Sequence, residues 1–126
     1  MTLSNGEITI QTLAMPADTN AAGDIFGGWL VSQMDLAAGV LAKKLSQGRA
    51  ATVAINSMAF LRPVHVGNLV SCYAELKKVG KTSMTIAVEA WTEKLGTGEK
   101  YCVTEGTFVF VAIDEHGHSR QIPKPE

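Results

Sequence analysis

The chain has 126 residues, 46% of them hydrophobic and 18% charged, with a formal net charge of −1. That is enough apolar material for one packed domain, 1–126, and too little chain for two. The near-neutral balance excludes a general electrostatic pull on nucleic acid or anionic lipid, so any anion site must rest on a few local Lys or Arg residues. No segment approaches the about 20 apolar residues that span a bilayer. A basic stretch leading into an apolar run is also missing at the N-terminus, so a cytoplasmic protein without membrane insertion is expected.

Residues 7–13 alternate loosely and predict a first strand. A turn-rich stretch with Pro16, Asp18, Asn20 and Gly23 follows. From about Phe26 or Gly28 to Leu45 the pattern is helical. Trp29, Leu30, Val31, Met34, Leu36, Val40 and Leu41 cover most of its circumference, which predicts a helix buried all round. Lys43 and Lys44 suit its C-terminal dipole, and Gly48 is the expected stop.

The remainder reads as strands. In 51–61, Val53, Ile55, Ala59 and Leu61 share one parity and Thr52, Asn56, Met58 and Phe60 the other. Arg62-Pro63 ends that run and Val66-Gly67 turns the chain into a strand over 69–79. Gly80-Lys81 predicts a two-residue type II′ hairpin leading into 82–93, and Gly96-Thr97-Gly98 predicts another leading into 100–113. That last strand is apolar on both faces around Phe108-Val109-Phe110-Val111 and is expected to lie centrally. The tail from about 114, with Pro123 and Pro125, reads as a polar surface extension. A strand, one apolar helix and four long antiparallel strands outline an α+β hotdog fold, an antiparallel sheet wrapped around one long central helix. One such sheet covers the helix incompletely, so a dimer is expected. Cys72 and Cys102, inside apolar runs, read as reduced thiols.

The chemistry concentrates in 16–35. Asp35 is the one carboxylate on the apolar helix. An unpaired buried charge costs several kcal/mol or shifts its pKa, so it calls for a functional or structural partner. Gly28, Ser32, Asp35 and Gly39 fall on one helical stripe, leaving room for a ligand or a second backbone. Gly27 and Gly28 open the helix and would offer free amides to a developing oxyanion. Asn20 has a turn-forming alternative and Asp24 a helix-capping one. Lys78 and Lys81 straddle the first hairpin with the Thr82 and Ser83 hydroxyls nearby, suited to phosphates. Arg62 and Arg120 are further cations for the same task. Met58 and Phe60, with Trp29 and Met34, would line an apolar slot. The three histidines make no metal-ligand pattern, and neither a G-x-S-x-G elbow nor an activated cysteine is present.

The run Thr19-Asn20-Ala21-Ala22-Gly23-Asp24-Ile25-Phe26-Gly27-Gly28-Trp29, followed by Gln33-Met34-Asp35, resembles the signature of short bacterial acyl-CoA thioesterases of the YciA type. Further matches are 59–67, 79–83, 101–104 and 119–123, so the likeness runs from about Thr12 to Pro123. The resemblance implies hydrolysis of acyl-CoA to a free acid and coenzyme A. No cofactor is implied, because coenzyme A belongs to substrate and product. It implies sites at dimer interfaces within hexamers built as trimers of dimers. In related enzymes a loop Asn and a helix Asp from opposite subunits act together, which maps onto Asn20 and Asp35. Asn56 stands where many relatives carry an acidic residue. Asp35 would be the general base, its pKa raised by desolvation, or else the nucleophile of an anhydride route; Asp24 is the alternative carboxylate. A dehydratase of the same fold would need a histidine near the helix. A non-catalytic acyl-CoA-binding or regulatory module is the rival from another class.

Overall fold

The computed structural model describes residues 6–124; the first five residues, Pro125 and Glu126 lie outside them. The elements follow in the expected order: β1 (Glu7–Leu13), a 3₁₀ turn at Pro16–Asp18, α1 (Gly27–Ser46), β2 (Ala50–Phe60), β3 (Leu69–Val79), β4 (Ser83–Lys94) and β5 (Glu99–Ala112). The strands form one antiparallel sheet in the order β1-β3-β4-β5-β2. Helix α1 packs against all five. This is the hotdog arrangement, and its core lies between the helix and the concave face of the sheet. β5 is interior as expected, but the central position belongs to β4.

The helix turns its smallest residues to the sheet. Ala37, Ala38 and Ala42 are fully buried beside Leu30, Met34 and Leu41, which lets helix and sheet backbones approach closely. The opposite side is open: Leu36 is 57% exposed, and Val31 and Val40 are only half-buried. The expectation of burial all round is therefore corrected for a single protomer. A helix touches a curved sheet along only part of its circumference, and the two sheet edges, β1 and β2, leave a gap over this stripe. At the β1 edge a bulge between Ile8 and Ile10 re-aims Thr9, whose hydroxyl donates to the Ala37 carbonyl at 2.8 Å.

β2 is an edge strand with two register shifts, between Thr52 and Ala54 and between Asn56 and Ala59. Each extra residue inverts the face of everything beyond it. The single parity expected for 51–61 is corrected accordingly. Thr52, Ile55 and Phe60 pair with the buried Phe110, Phe108 and Thr104 and face the helix, whereas Asn56 and Ala54 face outward with Thr107 and Val109. Ser57, inside the second shift, takes a left-handed φ of 54°.

Three local expectations also change. Gly80 does not adopt the positive φ a type II′ turn needs. The loop is longer, with Val79 paired to Met84 and the Gly80 amide donating to the Ser83 carbonyl at 2.8 Å. The helix stops at Gln47, itself left-handed at φ 56°, rather than at Gly48. Finally, the tail folds back instead of extending. The Ile122 amide donates to the Lys81 carbonyl, Ile122 is buried, and Ile113 bridges to Ser119.

Candidate active site

Two chemically distinct places lie along α1. At its N-terminus, 19–25 form a tight loop held by Asn20. Its Oδ1 accepts from the amides of Ala22 at 2.9 Å and Asp24 at 3.1 Å, and its own amide donates to the Asp24 carbonyl at 2.7 Å. The turn-forming role of Asn20 is thus present, and the residue is exposed. Asp24 is exposed too, but it is not the helix cap: the N-cap is Phe26, without any side-chain cap bond. The first amides of a helix have no partner within it. Gly27 and Gly28, its first two residues, thus present uncapped N–H groups. Aromatic rings crowd both: a Cβ on Gly27 would stand 3.2 Å from Phe60 Cε1, and one on Gly28 would stand 3.3 Å from Phe26 Cε2. Phe60 is 55% exposed, so this aromatic wall is open to a ligand or to another copy of the chain.

Two turns further on, Asp35 faces β2. Its Oδ1 accepts a hydrogen bond of 2.6 Å from the Thr52 hydroxyl, a length typical of a charge-assisted O–H···O⁻ contact. Asp35 is half-buried and makes no ion pair among the described residues. It opens on a cavity of about 270 Å³ bounded by Leu36, Gly39, Lys43, Ala50 and Phe110. Gly39 of the small-residue stripe belongs to this cavity. Ser32 does not; its hydroxyl donates back to the Trp29 carbonyl at 2.7 Å. Thr52 was missed in the sequence because an exposed threonine on a strand carries no periodic signal. Only the crossing of α1 over β2 brings it to Asp35.

The basic residues separate into two groups. Lys81, Thr82 and Ser83 sit at the β3–β4 turn, beside the C-terminal end of α1 and the returning tail. The Thr82 and Lys81 carbonyls accept from Ala112 and Ile122, which fixes that turn and leaves the exposed Lys81 side chain outward. Arg62 lies past the end of β2, with its guanidinium 5.0 Å from the Tyr101 ring centroid. Arg120 must be removed from the phosphate-binding candidates. Its Nε donates to the Ile113 carbonyl, its Nη1 to Ser46 O, and its Nη2 to Arg49 O and Ser46 Oγ. The Ser46 and Arg49 carbonyls lie at and just beyond the C-terminus of α1, where Arg120 caps them, and the Ile113 carbonyl ties the same guanidinium to the end of β5.

Within one protomer these groups do not converge. Asp35 lies about 12 Å along the helix axis from Gly27 and about 17 Å from Ser46 at the other end. Phe60 stands with Gly27 at the N-terminal end, and Met58 lies against Gly106 of β5. Asp35 and Thr52 occupy the middle, and Lys81, Thr82 and Ser83 the far end.

Comparison with known proteins agrees with this architecture. Residues 22–99 match the model of the thioesterase superfamily. The acyl-CoA thioester hydrolase YciA of Escherichia coli is 50% identical over 121 residues, 94% of this chain and 92% of that one. The hexameric thioesterase y2039 from Yersinia pestis superposes with a TM-score of 0.94 at 51% identity, covering 98% of this chain and all of that one. A hexameric hotdog fold thioesterase of Campylobacter jejuni superposes with a TM-score of 0.87 at 37% identity, covering 94% and 91%. This chain belongs to the thioesterase superfamily.

Proposed function

We propose that this chain hydrolyses acyl-CoA thioesters to a carboxylic acid and coenzyme A, with Asp35 as the general base. The observation that carries the reading is the Asp35 carboxylate itself. It is the one carboxylate of α1, held by Thr52 through one oxygen, free of any ion pair among the described residues, and open to a cavity. With Oδ1 engaged, Oδ2 is left to take a proton from water. The hydroxide formed attacks the thioester carbon, and the C=O electron pair moves to oxygen, where the Gly27 and Gly28 amides stabilise it. Collapse breaks the C–S bond, and the thiolate of coenzyme A recovers the proton from Asp35.

The separations along α1 support a site shared between two copies. A base and an oxyanion donor acting on one carbonyl through hydrogen bonds of about 3 Å sit more naturally on two facing helices than about 12 Å apart along the axis of one. Asp35 and Thr52 of one protomer would therefore work with Asn20, Gly27 and Gly28 of its partner, as in the related enzymes, with Asn20 orienting the water or the carbonyl. Lys81, Thr82 and Ser83 lie toward the far end, a distance the pantetheine arm must bridge to set phosphates there; Arg62 would serve the opposite end. The exposed edge β2 and the open helix stripe around Leu36 suit a dimer, and a trimer of such dimers would match the hexameric relatives.

Release of free thiol from acetyl-, butyryl- and palmitoyl-CoA tests the reading. The wild-type protein should turn over at least one of them. Asp35→Ala should lower kcat about 10³-fold while leaving the circular dichroism spectrum unchanged. Wild-type rates from that variant would remove Asp35 from the mechanism. Thr52→Val should lower kcat more than it raises KM, because it frees the carboxylate without emptying the pocket.

A further inference from the structure

The second register shift of β2 has a geometric effect on the side chain that follows it. Ser57 is left-handed, and the chain kinks so that Met58 crosses from the edge strand onto β5. A Cβ on Gly106 would stand 2.8 Å from Met58 Cε and 2.9 Å from Sδ, so the thioether lies in the space a side chain at 106 would need. Gly106 pairs with the fully buried Val88, which places this contact on the concave face, and Met58 packs half-buried against the core. The next inward side chain along β2 is Phe60, whose ring touches Gly27.

We propose that Met58, laid across Gly106, sets the length of acyl chain the enzyme accepts. The inference rests on the hydrolase reading above. A carbonyl held at the Gly27 and Gly28 amides directs its chain past Phe60 along the inner face of β2. It meets Met58 about 7 Å further on. Methionine is unbranched and polarizable and adapts to the shape it meets. It can lie flat on the strand only because residue 106 has no side chain. The pair therefore forms a deformable end wall, and the strained Ser57 aims it.

The test compares kcat/KM for butyryl-, octanoyl-, dodecanoyl- and palmitoyl-CoA in the full-length wild type, Met58→Ala and Gly106→Ala. Met58→Ala should raise the dodecanoyl-to-butyryl ratio about tenfold by opening the wall. Gly106→Ala should lower it comparably by lifting the thioether off the strand into the path of the acyl chain. Each variant is read as a ratio, so a uniform loss of turnover cancels. Unchanged ratios in both variants, with the wild type active, would overturn the role of Met58 and leave the hydrolase reading standing. A wild type inactive on all four substrates would instead defeat the hydrolase reading, and this inference with it. Should Met58→Ala fail to fold, Met58→Val removes less volume and should shift the ratio in the same direction with smaller amplitude.

Discussion

At the residue scale, contacts made across long sequence separations decide which polar groups are structural and which are left for chemistry. Arg120 spends its donors on the carbonyls of Ser46, Arg49 and Ile113, and Gly48 allows it: a Cβ there would stand 2.7 Å from Nη2. Arg120→Ala should lower unfolding stability by about 2 kcal/mol by stranding those acceptors. Arg120→Lys should recover only part, since an ammonium lacks the planar fork. Urea denaturation with an unchanged m-value would measure both. Cys72 is a second case. Burial pushes its thiol from 9.0 to about 12, so the folded state holds the proton more tightly than the unfolded chain does. Its contribution to stability is complete below about pH 9 and fades as pH rises toward 12. Cys72→Ala should therefore flatten the alkaline loss of stability across that window, as followed by thermal melts from pH 8 to 11. Cys102 is also a free thiol, pushed up to about 11 by burial first and then by the Glu89 and Glu105 carboxylates.

At the element scale, strand and helix limits were largely legible, because alternation and 3.6-residue periodicity record which face meets the core. The bulges were not. β2 reads as one alternating strand, yet its two register shifts hand the inner face to Thr52, Ile55 and Phe60 in turn. A bulge answers to the shape of the partner strand and leaves no compulsory residue behind, and here the left-handed position holds Ser57 rather than glycine. Left-handed backbone costs a non-glycine residue roughly 1 kcal/mol. Ser57→Gly should stabilise the fold by about that amount in denaturant titration, with the Met58 contact intact. A destabilised Ser57→Gly would mean that the serine does more than endure the kink. The helix is another mixed case: its span was readable, but its apolar circumference did not say that the Leu36 side faces outward.

At the scale of the whole molecule, the proposed catalytic groups are spread along α1, and part of the uncovered apolar surface lies over that same helix and along the β2 edge, at Leu36, Val53, Ile55 and Phe60. Among the described residues no helix is long and apolar enough to cross a membrane. A shared site makes a sharp prediction. Asp35→Ala and Asn20→Ala homo-oligomers should each be inactive. Co-expressed, they should recover about a quarter of wild-type activity, because half of random dimers are mixed and one of two sites in each is intact. Recovery of nothing would mean that both residues serve the same protomer's site.

The order of elements, the long helix packed on an antiparallel sheet, and the stretch in which the chemistry is concentrated were all legible in the residues. Periodicity, turn residues and a lone carboxylate are local facts, written in neighbouring letters. Tertiary structure decided the rest: that Thr52 holds Asp35, that Arg120 caps the helix instead of awaiting phosphate, that Met58 lies on Gly106, and that one face of α1 stays open. Each of these depends on the curvature of the sheet and the angle at which the helix crosses it. Such quantities emerge only when distant segments pack together.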